Sequence, residues 1–174
     1  MNTLLAVISH LPYLDSLNAL SCDNLSGLPL DISRVIKAGC HSNLKRLDLS
    51  MSSNLSDEAL REILKLCHNL QTLDISGCRY ISSAVVEQLS TLVPHVWELK
   101  IAKNDRISED GFQSLAKLRN LISLNMSLCH NVTDGTYLSM LNRKFSNRNR
   151  FGTIPAIEHS SIDHHPPYGL QRYR

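Results

Sequence analysis

Five segments of this chain carry one nine-residue pattern: "LDSLNALSC" from Leu14, "LKRLDLSMS" from Leu44, "LQTLDISGC" from Leu70, "VWELKIAKN" from Val96 and "LISLNMSLC" from Leu121. The starts lie 30, 26, 26 and 25 residues apart. Positions 1, 4 and 6 are apolar in every copy, with the small Ala19 in the last of these slots in the first copy. A period of this length restricts the fold to a stacked array. One unit alone cannot bury its apolar face, so neighbours must share a core. The alternation at positions 4 to 6 predicts a short strand with positions 4 and 6 inward and position 5 outward. Position 9 reads Cys22, Ser52, Cys78, Asn104 and Cys129. The chain turns away after the strand and leaves backbone groups buried there. A small polar or polarisable side chain is needed to satisfy them.

The second half of each unit predicts a helix. Ser56, Ser82, Ser108 and Thr133 stand where an N-cap belongs, with Asp57, Glu58, Glu109, Asp110 and Asp134 in the first turn, where the helix dipole favours negative charge. "ALREILKL" and "GFQSLAKL" then show apolar residues at helical spacing. The first unit is longer and contains Pro29, which predicts an irregular connection.

The pattern L-x-x-L-x-L-x-x-[C/N] resembles the leucine-rich repeat. The 26-residue length and the cysteine at position 9 resemble its cysteine-containing subtype. "LSDEAL", "ISSAVV", "ISEDGF" and "VTDGTY" resemble that subtype's I-T-D-x-G-L segment, and "LKLCHNL" its L-x-x-C-P-x-L ending. Cys40-His41 and Cys67-His68 occupy the same slot, and Pro12 and Pro94 its proline position in other units. The resemblance covers residues 2–141 and implies an α/β leucine-rich-repeat solenoid. That is a short curved array of about five units over residues 1–141, with parallel strands on the concave face and helices on the convex face. The subtype is familiar from F-box substrate receptors of ubiquitin ligases and from related adaptors without an F-box, so the resemblance implies protein recognition. "NTLLAVISH" at residues 2–10 looks like the helix of a preceding repeat, so the array is expected to start mid-repeat, without an F-box. Uncapped solenoid ends expose core, and either association at the N-terminal end or marginal stability is therefore expected.

After Leu141 the period stops. Residues 142–174 carry six basic side chains (Arg143, Lys144, Arg148, Arg150, Arg172, Arg174) against Glu158 and Asp163, with three prolines and three histidines. They are expected to form a basic, largely disordered C-terminal tail, with Phe145, Phe151 and Ile154 available to cover the last repeat. The formal net charge of +2 gives no reason to expect nucleic acid as a partner. No apolar run approaches the roughly 20 residues of a membrane span, and the N-terminal stretch lacks the basic flank of a signal peptide. A cytoplasmic or nuclear protein with free thiols is expected; five cysteines is an odd number and no C-x2-C pair occurs. No metal, cofactor or catalytic motif is expected, and the chain is not expected to be an enzyme.

The working surface is expected on the concave face. Its position 3 row is Ser16, Arg46, Thr72, Glu98, Ser123, and its position 5 row is Asn18, Asp48, Asp74, Lys100, Asn125. Arg46, Asp48, Asp74, Glu98 and Lys100 form a mixed-sign cluster there and are the candidate contacts of a protein partner. Asp48 beside Asp74 is repulsive and would welcome a basic group, while Asp74 and Lys100 can pair across strands. Trp97, the only tryptophan, is expected to be packed. The function expected by resemblance is recognition like that of the substrate-binding repeats of F-box receptors. The alternative is a structural or assembly factor within a larger complex.

Overall fold

The computed structural model describes residues 13–21, 43–136, 138–140 and 156–158. Six strands form one parallel sheet in sequence order: β1 (Ser16–Asn18), β2 (Arg46–Asp48), β3 (Thr72–Asp74), β4 (Glu98–Lys100), β5 (Ser123–Asn125) and β6 (Ala156–Glu158). The register follows the repeat without slippage. Leu17, Leu47, Leu73, Leu99 and Leu124 are partners in line, as are Asn18, Asp48, Asp74, Lys100 and Asn125. Hydrogen bonding between units extends beyond the three-residue strands. The carbonyl of position 2 accepts two amides of the next unit, as Gln71 does from Trp97 and Glu98. The amides of positions 6 and 8 donate to the unit that follows, as Ile75 does to Lys100 and Gly77 to Ala102.

Between β2 and β5 the chain crosses on one side of the sheet. In the second unit it forms α1 (Asp57–Leu66). In the third, the helix is split into α2 (Ser83–Val86) and α3 (Leu89–Leu92). In the fourth, α4 (Glu109–Ser114) runs into a 3-10 turn at Leu115–Lys117. Residues 134–136 and 138–140 are helical in the fifth. The split follows composition: two β-branched valines end α2, and Gln88 gives α3 no side-chain cap. Leu47, Leu49, Leu73, Ile75, Leu99 and Ile101 line one continuous interior with Ile63, Val85 and Phe112 from the helical side, all essentially without solvent contact. This is a leucine-rich-repeat solenoid.

The predicted N-caps are in place. Ser56, Ser82 and Ser108 accept from Ala59, Ala84 and Gly111 amides, and Thr133 accepts from Thr136. They also join neighbouring units. Asp57 accepts from the Ser82 amide at 2.8 Å and from its hydroxyl, Ser83 Oγ accepts from the Ser108 amide at 2.8 Å, and Thr136 Oγ1 donates to Glu109 at 3.0 Å. Asp57 and Glu109 therefore bond to the next unit as well as facing a helix dipole.

Position 8 was not singled out by the sequence. Ser21, Met51, Gly77, Lys103 and Leu128 all have φ between 57° and 71°, the left-handed region, although only one of them is glycine. The turn away from the sheet is made there, immediately before the position 9 side chain.

β6 is a short addition within the stretch expected to be largely disordered: its backbone extends the sheet by pairing Ala156, Ile157 and Glu158 with Ser123, Leu124 and Asn125. The helix expected at residues 2–10, the irregular connection around Pro29, Cys22, Cys40 and the rest of the tail lie outside the described residues.

Candidate functional site

The candidate residues come from positions 3 and 5 of three adjacent strands, which share the sheet face opposite the buried leucines. Register places Asp48, Asp74 and Lys100 side by side, and Arg46, Thr72 and Glu98 beside one another in the parallel row. All five candidates therefore come together. Adjacent strands lie about 4.8 Å apart, so the two aspartates are close neighbours.

Their bonds differ. Asp48 Oδ1 accepts from the Ser50 amide at 2.9 Å and the Ser50 hydroxyl at 2.6 Å, while Oδ2 accepts from Asn18 Nδ2 at 3.2 Å. Asp74 Oδ1 accepts from the Ser76 amide at 2.9 Å, and its Oδ2 has no hydrogen-bond partner among the described residues. The same local turn recurs at Asn18, which accepts from the Leu20 amide, and at Asn125, which accepts from the Ser127 amide and hydroxyl. Position 5 thus has a structural duty: its side-chain oxygen holds the amide two residues on, as Asx residues do in turns.

The cations pair elsewhere than the cross-strand register suggested. Lys100 Nζ lies 3.6 Å from Glu98 on its own strand, and not in an ion pair with Asp74. The i and i+2 residues of a strand share a face, and the long lysine stem reaches along the strand as easily as across it. Arg46 lies 3.6 Å from Asp15 of the preceding unit, both side chains more than half exposed. Exposed pairs of this kind contribute about 0–1 kcal/mol, so both cations are readily redirected.

Position 9 forms the expected ladder. Cys78 Sγ donates to Leu49 O at 3.2 Å, Asn104 Nδ2 to Ile75 O at 2.8 Å, and Cys129 Sγ to Ile101 O at 3.3 Å. Each is the position 6 carbonyl of the preceding unit. Burial pushes the Cys78 thiol up to about 12 and raises Cys129 as well, so both stay neutral thiols. They are structural groups. Asp105, exposed on the C-terminal rim of the sheet, is held below the usual carboxylate range mainly by its hydrogen bond with His130.

Trp97 differs from expectation. It is 38% exposed, because position 2 precedes the inward alternation and its side chain leaves the sheet at the N-terminal rim of the strands. It borders a groove of about 630 Å3 that also contains Tyr13, Asn69, Gln71 and His95. Among the described residues no group of three or more His, Cys, Asp or Glu side chains is arranged to hold a metal ion, and no helix is long and apolar enough to cross a membrane.

A family model for the leucine-rich repeat matches residues 66–84. The crystal structure of the Rad7 and Elc1 complex in yeast contains a chain of similar fold, at TM-score 0.52 and 17% identity over 59% of this chain. The match spans 26% of that chain, about a quarter of its length. No curated protein sequence matches. These likenesses agree with the geometry on the fold, a leucine-rich-repeat solenoid.

Proposed function

We propose that this chain is a protein-recognition module that engages its partner through the open, concave face of the sheet, in the manner of the substrate-binding repeats of F-box ubiquitin-ligase receptors. The chemistry needed is a partner surface with a basic centre, flanked by acidic and polar groups. Asp48, Asp74 and Glu98 meet the basic centre, and Arg46 and Lys100 its acidic flank.

One observation carries the reading. In four of the five units the turn after the strand takes a side-chain oxygen from position 5, and Asn18 and Asn125 provide it without charge. Lys100 holds the same slot in β4 with no acceptor at all. The fold therefore does not require carboxylates at Asp48 and Asp74, and their adjacency costs up to about 1 kcal/mol of repulsion in water-like surroundings. A negative pair beyond what the turn demands favours a cationic contact from outside the chain. The cysteine pattern at position 9 and the Cys67-His68-Asn69-Leu70 ending after α1 support the F-box-receptor comparison within the repeat proteins, with a cytoplasmic or nuclear location.

The test neutralises charge while retaining the turn. Asp48→Asn with Asp74→Asn preserves the acceptor oxygens, so the melting temperature should stay within a few degrees. Quantitative affinity capture from cells should then lose a defined set of proteins held by the wild type, with ubiquitin-ligase substrates among them. An unchanged set of captured proteins refutes the concave site. Loss of a set that contains no protein turned over by the proteasome refutes the ligase comparison alone.

A further inference from the structure

We infer that the groove along the N-terminal rim of the strands is a second binding surface, and that it takes an extended, proline-rich peptide lying across β1 to β4. Positions just before and just after the first apolar residue of each of the first four units build it. Tyr13 stands at the β1 end, Asn69 and Gln71 in the middle, and His95 and Trp97 at the β4 end. Tyr13 is 93% exposed, so aromatic surface at both ends is available to a ligand.

The backbone of this rim is already committed. The position 2 carbonyls of Asp15, Lys45, Gln71 and Trp97 each accept two amides of the next unit. A peptide cannot add there as another strand and must be read by side chains. The side-chain amides of Asn69 and Gln71 are not spent on hydrogen bonds among the described residues, and an indole N–H is a donor only. The rim thus offers donors between aromatic faces. Polyproline II presents unpaired carbonyls, few or no N–H groups, and ring surfaces that pack on aromatics.

Charge and length point the same way. Asp15 and Lys45 are the charged groups of the groove and are opposite in sign, so no net field draws an acidic or basic ligand. Three strand intervals of about 4.8 Å give about 14 Å, the length of four to five polyproline residues at about 3.1 Å each.

The test titrates the full chain into fluorescein-labelled decaproline and follows anisotropy, with tryptophan emission of the wild type as a second readout from Trp97. Saturable binding is expected in the range of about 10–100 μM, a value set by a short contact with little burial. Trp97→Ala should weaken it at least tenfold, as should Asn69→Ala with Gln71→Ala, which keeps the tryptophan. Asp48→Asn with Asp74→Asn should leave it unchanged, which separates this surface from the concave site. The circular dichroism melt of each variant should match the wild type. No saturable change up to millimolar protein, equal binding of a Gly/Ser decapeptide, equal binding by Trp97→Ala, or preferential binding of a labelled oligothymidine overturns the inference.

Discussion

Replacing Gly77 with alanine tests whether position 8 is a backbone site or a packing site. Gly77 has φ 71°, and a β-carbon there would come within 2.6 Å of Met51 Sδ. Two effects oppose one another. Left-handed backbone costs an L residue about 1–2 kcal/mol. Alanine returns about 0.4–1 kcal/mol by restricting the unfolded chain. The Met51 sulfur sits in a half-exposed, flexible side chain and can swing aside. The net expectation is a loss of about 1 kcal/mol, or roughly 4 °C in Tm.

The reciprocal change separates the causes. Lys103 holds the same slot at φ 58°, and its amide bonds to Ser127 O whatever its side chain. Lys103→Gly should therefore be neutral or stabilise by up to about 1 kcal/mol, the strain relieved less the added entropy of the unfolded chain. Urea unfolding followed by circular dichroism measures both. If crowding against Met51 were the cause, Met51→Ala would rescue Gly77→Ala. If backbone strain is the cause, it will not. Gly77→Ala unfolding at the wild-type midpoint, or rescue by Met51→Ala, refutes the strain account.

Three further outcomes are expected. Gly111→Ala should destabilise by about 1 kcal/mol, since overpacking against Ser83 and Ile107, 2.6–2.9 Å from the new β-carbon, outweighs the gain in helix propensity; Gly135→Ala, whose nearest such atom is 3.5 Å away, should be tolerated in the same melts. Asn104→Ala should cost about 2–4 kcal/mol by denaturant midpoint, because it strands Ile75 O and opens a cavity; Asn104→Cys should restore most of that, since Cys78 and Cys129 do the same work. The Cys78 thiol is raised on folding, so its contribution is complete below about pH 9 and declines as pH climbs toward about 12; alkaline unfolding should come later in Cys78→Ser, and native Cys78 should resist iodoacetamide at pH 8 by peptide mass spectrometry.

The apolar slots were legible because they answer to one requirement, a shared interior. A strand of period 2 inside a unit of about 26 residues admits a single placement of Leu47, Leu73 and Leu99. The rows on the open face followed without further information, since register in a repeat array copies sequence alignment. The caps were equally plain: Ser56, Ser82 and Ser108 precede helices whose amides need an acceptor.

Illegible features were those decided by neighbours rather than by the residue itself. Met51, Lys103 and Leu128 have no local preference for left-handed backbone, and the sequence around them gives no glycine signal. They adopt it because the amide at that position is fixed on the next unit, as Met51 N is on Ser76 O at 2.7 Å and Lys103 N on Ser127 O at 3.0 Å, while the following side chain must reach back into the core. The array imposes the turn, and residue type only sets how much it costs. The same logic explains Lys100. Alignment places Asp74 across the strand and Glu98 along it, each an acceptable partner, and a difference of less than 1 kcal/mol between exposed pairs is not written in residue identity. β6 was hidden for a related reason. A three-residue strand set beyond the regular interval has no periodicity of its own, and it exists only because β5 presents an edge to be paired. Repetition thus makes the interior readable from one unit, while strain, ion pairing and edge capping depend on contacts between units and are set only once the units stack.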